Sequence, residues 1–389
     1  MLYNSPLHTV WGKILFAVLV FITLYFAGHT WISWLTPISG ALVLLPSMAV
    51  AFLGSLLGLA LARYLDRRKP EPWQYFVGFL IFATFFTAAP AAYFNRISPL
   101  GVITVGLNEE FWKAWPLLLL VWFAPTVVNG MRDGLIYGAL GGFGFNIAEI
   151  GSYVLRVSFP EEGWEGLPNQ LVRLGILGIS NHVIWSALVG AGIGLAMQTD
   201  SRRVKIFAPI GAYLLAVVTH TLQDTFAGPT IAIAFDIGYL VLRGQDIMTL
   251  ASEDPETLAA MAQSGLPYTL PLEMLAINVV NLIILARVVR RSGDWERKII
   301  ADGLAAESFP VITPEEYAGV ENEKRFRLRR VPNYPVRVSS AIRNAQNELA
   351  MLKRYLSLRN QAIEGDELVH YWRDKIDALR QQSTLSQSM

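Results

Sequence analysis

The stretch Leu107-Asn108-Glu109-Glu110-Phe111-Trp112-Lys113 places two adjacent carboxylates and a lysine directly before the apolar run 114–122. Charged side chains cost several kcal/mol each inside a bilayer, so charges within a membrane span indicate a function. On a helix, Glu109 and Lys113 lie four residues apart and share a face, whereas Glu110 points about 100° away. We therefore expect an ion pair to hold one glutamate and leave the other free to react. The sequence does not decide which is which.

The composition indicates a membrane protein. The chain has 389 residues, of which 53% are hydrophobic and 16% are charged, and its mean hydropathy is +0.39. A soluble domain usually carries a larger charged share. The net charge of +1 gives no overall basic field, so nucleic acid is not an expected partner. With no cysteine, disulfides, thiolate metal sites and cysteine nucleophiles are all excluded.

Apolar segments of about twenty residues, the length needed to cross a bilayer, recur along the chain. They predict an all-α fold, a polytopic membrane helical bundle of about eight transmembrane helices with a cytoplasmic helical C-terminal tail. The first segment has no convincing cleavage site, so we interpret it as an uncleaved span and not as a signal peptide. The predicted spans are 12–34, 38–62, 74–95, 100–124, 134–155, 171–197, 206–226 and 268–290.

Basic residues cluster in loops that all fall on one side of these spans. The clusters lie at 63–69, 202–205 and 287–291. By the positive-inside rule that side is the cytoplasm, so both termini are predicted to be cytoplasmic and the chain to lie in the cell membrane. On the opposite side, the segment 228–267 begins with an apolar stretch that suits an interfacial or re-entrant helix.

Three regions differ in character. Residues 1–70 are predicted to form an N-terminal transmembrane hairpin, residues 71–291 a transmembrane core, and residues 292–389 a soluble cytoplasmic helical tail. The tail contains two helical patterns, at about 338–360 and 366–382. The basic run from Lys324 to Arg330 predicts attraction to anionic cytoplasmic lipid, so the lipid bilayer is an expected partner.

Further polar residues interrupt later spans: Glu149 in the fifth, Asn181 and His182 in the sixth, and His220 and Asp224 in the seventh. At about 1.5 Å per residue, Glu109, Glu149, His182 and His220 lie about 9 to 16 Å from the same boundary. Each alone has a plain interpretation as a structural ion pair or a packing hydrogen bond. Together they predict one polar site in the outer half of the membrane.

Such a cluster could hydrolyse a bond without a covalent intermediate. One glutamate would act as general base on water, and a histidine or second glutamate would act as general acid or oxyanion donor. The alternative is Zn²⁺ held by Glu109, Glu149, His182 and His220 with water in an open position. Because the usual HExxH spacing is missing, the zinc site is the second choice. A proton-coupled transporter ranks lowest, since no inverted repeat is visible.

The ordered motifs resemble the PrsW family of intramembrane proteases, which is related to the type II CAAX prenyl proteases. Glu109-Glu110-x-x-Lys113 is similar to the EExxK motif of that family. Asp133-Gly134, followed by Phe145-x-x-x-Glu149, is similar to its second motif. Ser180-Asn181-His182 and His220-x-x-x-Asp224 resemble its two histidine motifs. The resemblance covers about residues 70 to 290.

The resemblance implies a glutamate-dependent peptidase that cuts a membrane-anchored protein, in some members an anti-sigma factor, near the outer face. It implies catalytic roles for Glu109, Glu110, Glu149, His182 and His220, and supporting roles for Lys113, Asn181, Asp224 and Phe145. No cofactor is expected in this interpretation. Since the wider group also includes a scaffold subunit, a noncatalytic membrane scaffold or chaperone is the alternative. Ile150 departs from the family pattern, in which many relatives have Asn.

Overall fold

The computed structural model describes residues 5–36, 38–99, 101–225, 227–253, 257, 266–324 and 327–387, and within them the secondary structure is helical with no named strand. The predicted all-α class is confirmed. In chain order the α-helices are α1 (Val10–Leu35), α2 (Ile38–Gly54), α3 (Leu56–Leu65), α4 (Trp73–Phe86), α5 (Ala88–Ile97), α6 (Val102–Phe123), α7 (Met131–Tyr153), α8 (Phe159–Glu162), α9 (Leu167–Leu171), α10 (Asn181–Gln198), α11 (Arg202–Asp224), α12 (Ala227–Leu242), α13 (Ile247–Ser252), α14 (Leu266–Leu304), α15 (Pro314–Glu321), α16 (Val336–Ser357) and α17 (Glu367–Gln387).

Part of the bundle is apolar enough to cross a membrane outright. Among the described residues, four segments pass on length and hydropathy, and the pair α2 and α3, bent by 49°, makes a fifth. The four are Val10–Leu35, Trp73–Ile97, Arg202–Asp224 and Pro271–Leu304. Helices α6, α7 and α10 carry the charged and glycine-rich sequences and pack inside the bundle, with α7 buried along nearly its whole length.

The central contact of the bundle is between α7 and α10, where glycines let the two backbones touch. A Cβ atom added to Gly134 would lie 2.1 Å from the carbonyl oxygen of Gly190, and one on Gly138 would lie 2.3 Å from that of Ser186. Gly134 and Gly138 on α7 and Gly190 and Gly194 on α10 are each four residues apart, the small-xxx-small spacing that lets two helix backbones approach closely. The same contact brings the start of α10 beside the later turns of α7.

The sixth predicted span, 171–197, is interrupted: a short 3-10 helix, Val172–Leu174, is followed by a non-helical segment, and the long α-helix starts only at Asn181. Gly175, Leu177 and Gly178 have positive φ angles of 70°, 56° and 79°, which end helical geometry before α10. Helix α10 then starts after Ser180, whose side chain accepts a hydrogen bond from the backbone N–H of Val183. His182 consequently lies in the first turn of a helix and not in its middle.

The predicted second and eighth spans also differ from the structure. The second breaks at Ser55, whose Oγ donates to the carbonyl oxygen of Ala51 at 2.9 Å. Helix α14 continues past the predicted end at 290 to Leu304, because Ile300 and Leu304 pack into the hydrophobic core of the tail. One helix thus connects the bundle with the tail.

The tail has a hydrophobic core of its own, built from α14, α15, α16 and α17. The lipid-facing role predicted for the basic run is wrong for Arg329. Its guanidinium is buried, pairs with Glu323 at 3.2 Å and donates to Gln346 at 3.0 Å. Arg325, another member of that run, lies outside the described residues.

The tail packs against one end of the bundle, which we call the tail end. Arg68 there forms ion pairs with Glu296 at 3.2 Å and with Glu323 at 2.9 Å. Nearby, Lys69 pairs with Glu71 at 2.6 Å and lies 3.6 Å from Asp133. The opposite end, where α5 approaches α6 and where residues 154–180 follow α7, is called the distal end.

The segment 228–267 lies in part outside the described residues, including Asp254 and Glu256. Its apolar first part is helical, as α12 (Ala227–Leu242). The interfacial or re-entrant position of this helix stays a prediction.

Candidate active site

Five predicted residues come together in the membrane part of the bundle. Glu109 and Glu110 lie on α6, Glu149 on α7, His182 on α10 and His220 on α11, so four helices contribute. The cluster is buried: Glu110 is 0% exposed and His220 is 2% exposed. The structure therefore brings the sequence-predicted groups to one place.

Glu110 is the glutamate that neighbours hold. Its Oε1 accepts a hydrogen bond from Lys113 Nζ at 2.6 Å and lies 2.9 Å from His220 Nδ1. The ammonium of Lys113 is fully buried and lies 3.8 Å from Glu109 Oε2, so its shorter ion pair is with the residue three positions away. Buried charges need such pairing because desolvation is costly.

Glu109 is the less constrained glutamate. Its Oε1 accepts from Asn95 Nδ2 at 3.0 Å, while its buried Oε2 has no hydrogen-bond partner among the described residues. That Oε2 lies 3.5 Å from His220 Nε2. Glu110 Oε2 also lacks a hydrogen-bond partner among the described residues. Of the two glutamates, however, Glu109 lines the cavity of about 700 Å³ described below, so it is the one that a water or a substrate atom can reach. Asn95 was not identified from the sequence, where an amide at the polar end of an apolar helix was its only signal.

His182 lies between two charged partners. Its Nδ1 lies 2.8 Å from Lys113 Nζ, and its Nε2 lies 2.8 Å from Glu149 Oε2. An ammonium can only donate, so Lys113 donates to Nδ1, and the imidazole proton on Nε2 is donated to Glu149. Phe145 packs against both His182 and Lys113, with its ring 4.9 Å from that of His182 and 4.5 Å from Lys113 Nζ.

His220 has carboxylates on both sides of its ring. Besides Glu110 at Nδ1, it has Asp224 Oδ2 3.2 Å from Nε2. Carboxylates in these positions fix the orientation of an imidazole and stabilise its protonated form. His220 and Asp224 are four residues apart and therefore lie on the same face of α11, which allows this contact.

Trp185 and Asn278, which the sequence analysis did not identify, form a supporting network with Asn181 beside His220. The ring of Trp185 stacks on His220 with centroids 4.4 Å apart, and its indole donates to Asn278 Oδ1 at 2.8 Å. Asn278 also donates to Asn181 at 2.8 Å. Asn181 therefore belongs to this supporting network and hydrogen-bonds none of the five central residues. Asn278 lies on α14, where its only sequence signal was an amide inside an apolar run.

Two cavities approach the cluster from different directions. A cavity of about 700 Å³ at the distal end has Glu109 and Glu149 in its wall. A smaller cavity of about 340 Å³ is lined by His182 and Asp224. The hydrogen bond between Glu149 and His182 lies between them, so a group placed at this pair could be approached from either side. We call them the distal cavity and the side cavity.

Part of the cluster has the donor set of a zinc site. One ligand atom each from Glu109, His182 and His220 lies within 4.8 Å of the others, and Glu149 is not part of this set. Two imidazoles and a carboxylate suit Zn²⁺ with a water in the fourth position. Glu110 on Nδ1 of His220 is the type of outer carboxylate that orients a metal-bound histidine. His182 would have to release Lys113 or Glu149 to bind a metal.

Comparison with known proteins gives one family match. Residues 71–243 match the family model described as PrsW family intramembrane metalloprotease. The match includes all five central residues and covers just under half of the chain, ending before α14. The resemblance found in the sequence motifs is confirmed, whereas the relation to type II CAAX prenyl proteases stays a prediction. No curated protein and no solved structure matches the chain significantly.

Proposed function

We infer that this chain is a membrane protease that uses Glu109 to hydrolyse a peptide bond of a membrane-anchored protein. The inference starts from the match of residues 71–243 to the PrsW family of intramembrane metalloproteases. One observation carries the inference. Glu109 Oε2 is buried, lacks a hydrogen-bond partner among the described residues, and belongs to a residue in the wall of a 700 Å³ cavity. A carboxylate in this position can accept a proton from water beside a bound substrate.

The proposed reaction begins with a water between Glu109 and the scissile carbonyl carbon. Glu109 takes a proton as the water oxygen bonds to that carbon, and the carbonyl π electrons move onto its oxygen. The Nε2–H of His182, now donated to Glu149 at 2.8 Å, can turn to the developing oxyanion. When the C–N bond breaks, its electron pair stays on nitrogen, which receives the proton from Glu109 or from His220. The products are one carboxylic acid and one amine.

The remaining groups position these two histidines. Lys113 contacts Nδ1 of His182 and Oε1 of Glu110, and Glu110 in turn contacts Nδ1 of His220. One ammonium therefore links both imidazoles through short contacts. We assign Lys113, Glu110, Glu149 and Asp224 to this orienting and charge-balancing role.

Zinc is compatible with the same residues. Glu109, His182 and His220 would hold it, and a bound Zn²⁺ supplies Lewis acidity and a water that ionises near neutral pH. Glu109 would then be a ligand, and Glu149 beside His182 and Asp224 beside His220 would be the carboxylates left to exchange protons. The family description favours a metal, and the short Lys113 contact with His182 favours water activation by glutamate alone.

The membrane arrangement completes the proposal. The tail end carries the basic loops, so we place it in the cytoplasm and the distal cavity toward the outer face of the cell membrane. The substrate would be a single-span protein, such as an anti-sigma factor or a similar regulator, cut near that face. The division into a hairpin at 1–70, a core at 71–291 and a tail at 292–389 is part of the proposal.

The test reconstitutes the full chain with candidate single-span substrates. We expect Glu109→Gln and His182→Ala to abolish cleavage and Glu110→Gln to reduce it strongly, while the exposed Glu161→Gln, at the distal end, serves as the matched control. Undiminished cleavage by all three folded variants would exclude this proposal. A stable copurifying partner without activity would favour the scaffold alternative, and pH-dependent flux in liposomes would favour a transporter.

Metal analysis of the same samples separates the two versions of the mechanism. Stoichiometric zinc that is lost in His182→Ala and His220→Ala would support the metal version. Full activity after exhaustive chelation, with no metal retained, would support activation of water by glutamate alone.

A further inference from the structure

The mouth of the distal cavity carries two arginines that have no acidic partner among the described residues. Arg96, in the last turn of α5, and Arg156, just after α7, both line the cavity and are both exposed. Arg156 donates to the carbonyl oxygen and the hydroxyl of Ser152, each at 3.3 Å, and Arg96 lies 5.8 Å from the ring of Tyr93. Neither guanidinium forms an ion pair with a carboxylate within the described ranges.

The position of these arginines is unusual for the chain. Most basic residues of the bundle cluster at the tail end, in accordance with the predicted topology. Arg96 and Arg156 lie at the other end, so membrane orientation does not explain them. Their shared feature is the cavity that leads to Glu109 and Glu149.

The charges along this cavity change sign with depth. Glu109 and Glu149 lie inside and are buried or nearly so, whereas the two exposed arginines lie at the mouth. Hydroxyl groups of Thr36 and Ser39 also line the cavity and are exposed. An acidic group on an entering peptide would be repelled by the inner glutamates and attracted at the mouth, which would fix how far the peptide enters.

We propose that Arg96 and Arg156 bind acidic side chains of the substrate, in the extended segment that follows or precedes its membrane span on the distal side. The distal cavity is then the substrate-binding site, and the two arginines determine both specificity and register. This inference rests on the proposed function, because it assumes that the distal cavity admits the peptide to be cut. Guanidinium groups bind carboxylates with two parallel hydrogen bonds, which gives the contact a defined geometry.

The test measures binding separately from cleavage. Full-length protein carrying Glu109→Gln is placed in neutral phosphatidylcholine nanodiscs. The probe is a fluorescent single-span Leu/Ala peptide whose distal flank contains either Glu-Glu or Gln-Gln. We expect the Glu-Glu peptide to bind about tenfold more tightly, since two partly exposed ion pairs are each worth a few-fold.

Variants locate the effect. Arg96→Gln with Arg156→Gln should remove the preference by weakening the Glu-Glu peptide and leaving the Gln-Gln peptide within about twofold. The matched control is Arg173→Gln, since Arg173 is also exposed at the distal end but lines the side cavity. Arg156→Glu should make the protein bind a peptide with a Lys-Lys flank more tightly. If Arg156 had only a structural role, this charge reversal would not change which peptide is preferred.

Two results would overturn the proposal. One is equal binding of both peptides to protein with both arginines intact, and the other is an acid preference that survives their joint replacement. If phosphatidylglycerol, added to the nanodiscs, binds through the arginines while the peptides stay indistinguishable, the ligand is lipid and the proposal is wrong. Failure of the protease function itself would appear differently, as an intact binding preference without cleavage by the wild-type chain.

Discussion

Replacing Gly142 by alanine tests how closely the active site depends on the contact between α7 and α10. A Cβ atom at position 142 would lie 2.5 Å from the carbonyl oxygen of His182 and 2.6 Å from the Cα of Val183. Ordinary contact begins at 3.4 Å, so the two helices must separate locally by roughly 0.9 Å. That displacement acts on the residue that carries the imidazole paired with Glu149.

The expected loss follows from this geometry. A displacement of about 1 Å in a catalytic arrangement costs on the order of 10²-fold in rate, and overpacking costs about 1–3 kcal/mol of stability. We expect Gly142→Ala to cut reconstituted substrate about 10²-fold more slowly and to lower the melting temperature by several degrees. The control is Gly211→Ala on α11, where nothing lies within 4 Å of an added Cβ. Cleavage at the control rate by folded Gly142→Ala would refute the reasoning.

Further outcomes are expected at four positions. Lys113→Met should abolish cleavage and lower thermal stability by several degrees, because it leaves Glu110 buried without its ammonium partner; unchanged melting curves would contradict this. Asn95→Leu should slow cleavage by about tenfold through the loss of one hydrogen bond to Glu109, seen mainly in kcat; a rate equal to wild type would argue against the contact. If the active site uses zinc, calorimetry should show that His220→Ala binds zinc with at least 10²-fold lower affinity than the wild type. Equal affinity would exclude His220 as a ligand. Burial raises the pKa of Glu71, in the loop before α4, to about 7. The folded state then binds more protons than the unfolded state between about pH 4.5 and 7, so the free energy of unfolding should fall as the pH rises through that window. Glu71→Gln should make the melting temperature depend less steeply on pH in this window. An unchanged pH dependence would mean that other groups cause it.

Hydropathy predicted much of the bundle, because a long apolar helix can be recognised from its own sequence alone. The boundaries of α1, α6 and α11 differ from the predicted spans by a few residues. The sixth span was overextended because the residues before α10 are also apolar. Only the positive φ angles around Gly178 end the helix there, and hydropathy does not report backbone conformation.

In the active site, too, the sequence spacing predicted some features, while others depend on how the helices pack. Motif spacing identified the residues of the cluster, and the contact between His220 and Asp224 followed from a four-residue step. The sequence left open which of Glu109 and Glu110 is free, because both lie within one turn of Lys113. The difference comes from partners on other helices, Asn95 for Glu109 and His220 for Glu110. Trp185 and Asn278 were missed for the same reason.

The most direct test of the central assignment is the rate at which reconstituted Glu109→Gln cleaves a single-span substrate at saturating concentration. The substitution keeps the shape of the side chain, and Asn95 can still donate to the amide oxygen, but the general base is removed. We expect kcat to fall by about 10³-fold or more, within the range for loss of a general base, with substrate binding and melting temperature unchanged. A folded Glu109→Gln variant whose kcat stays within tenfold of wild type would contradict the assignment of Glu109 as the reacting carboxylate.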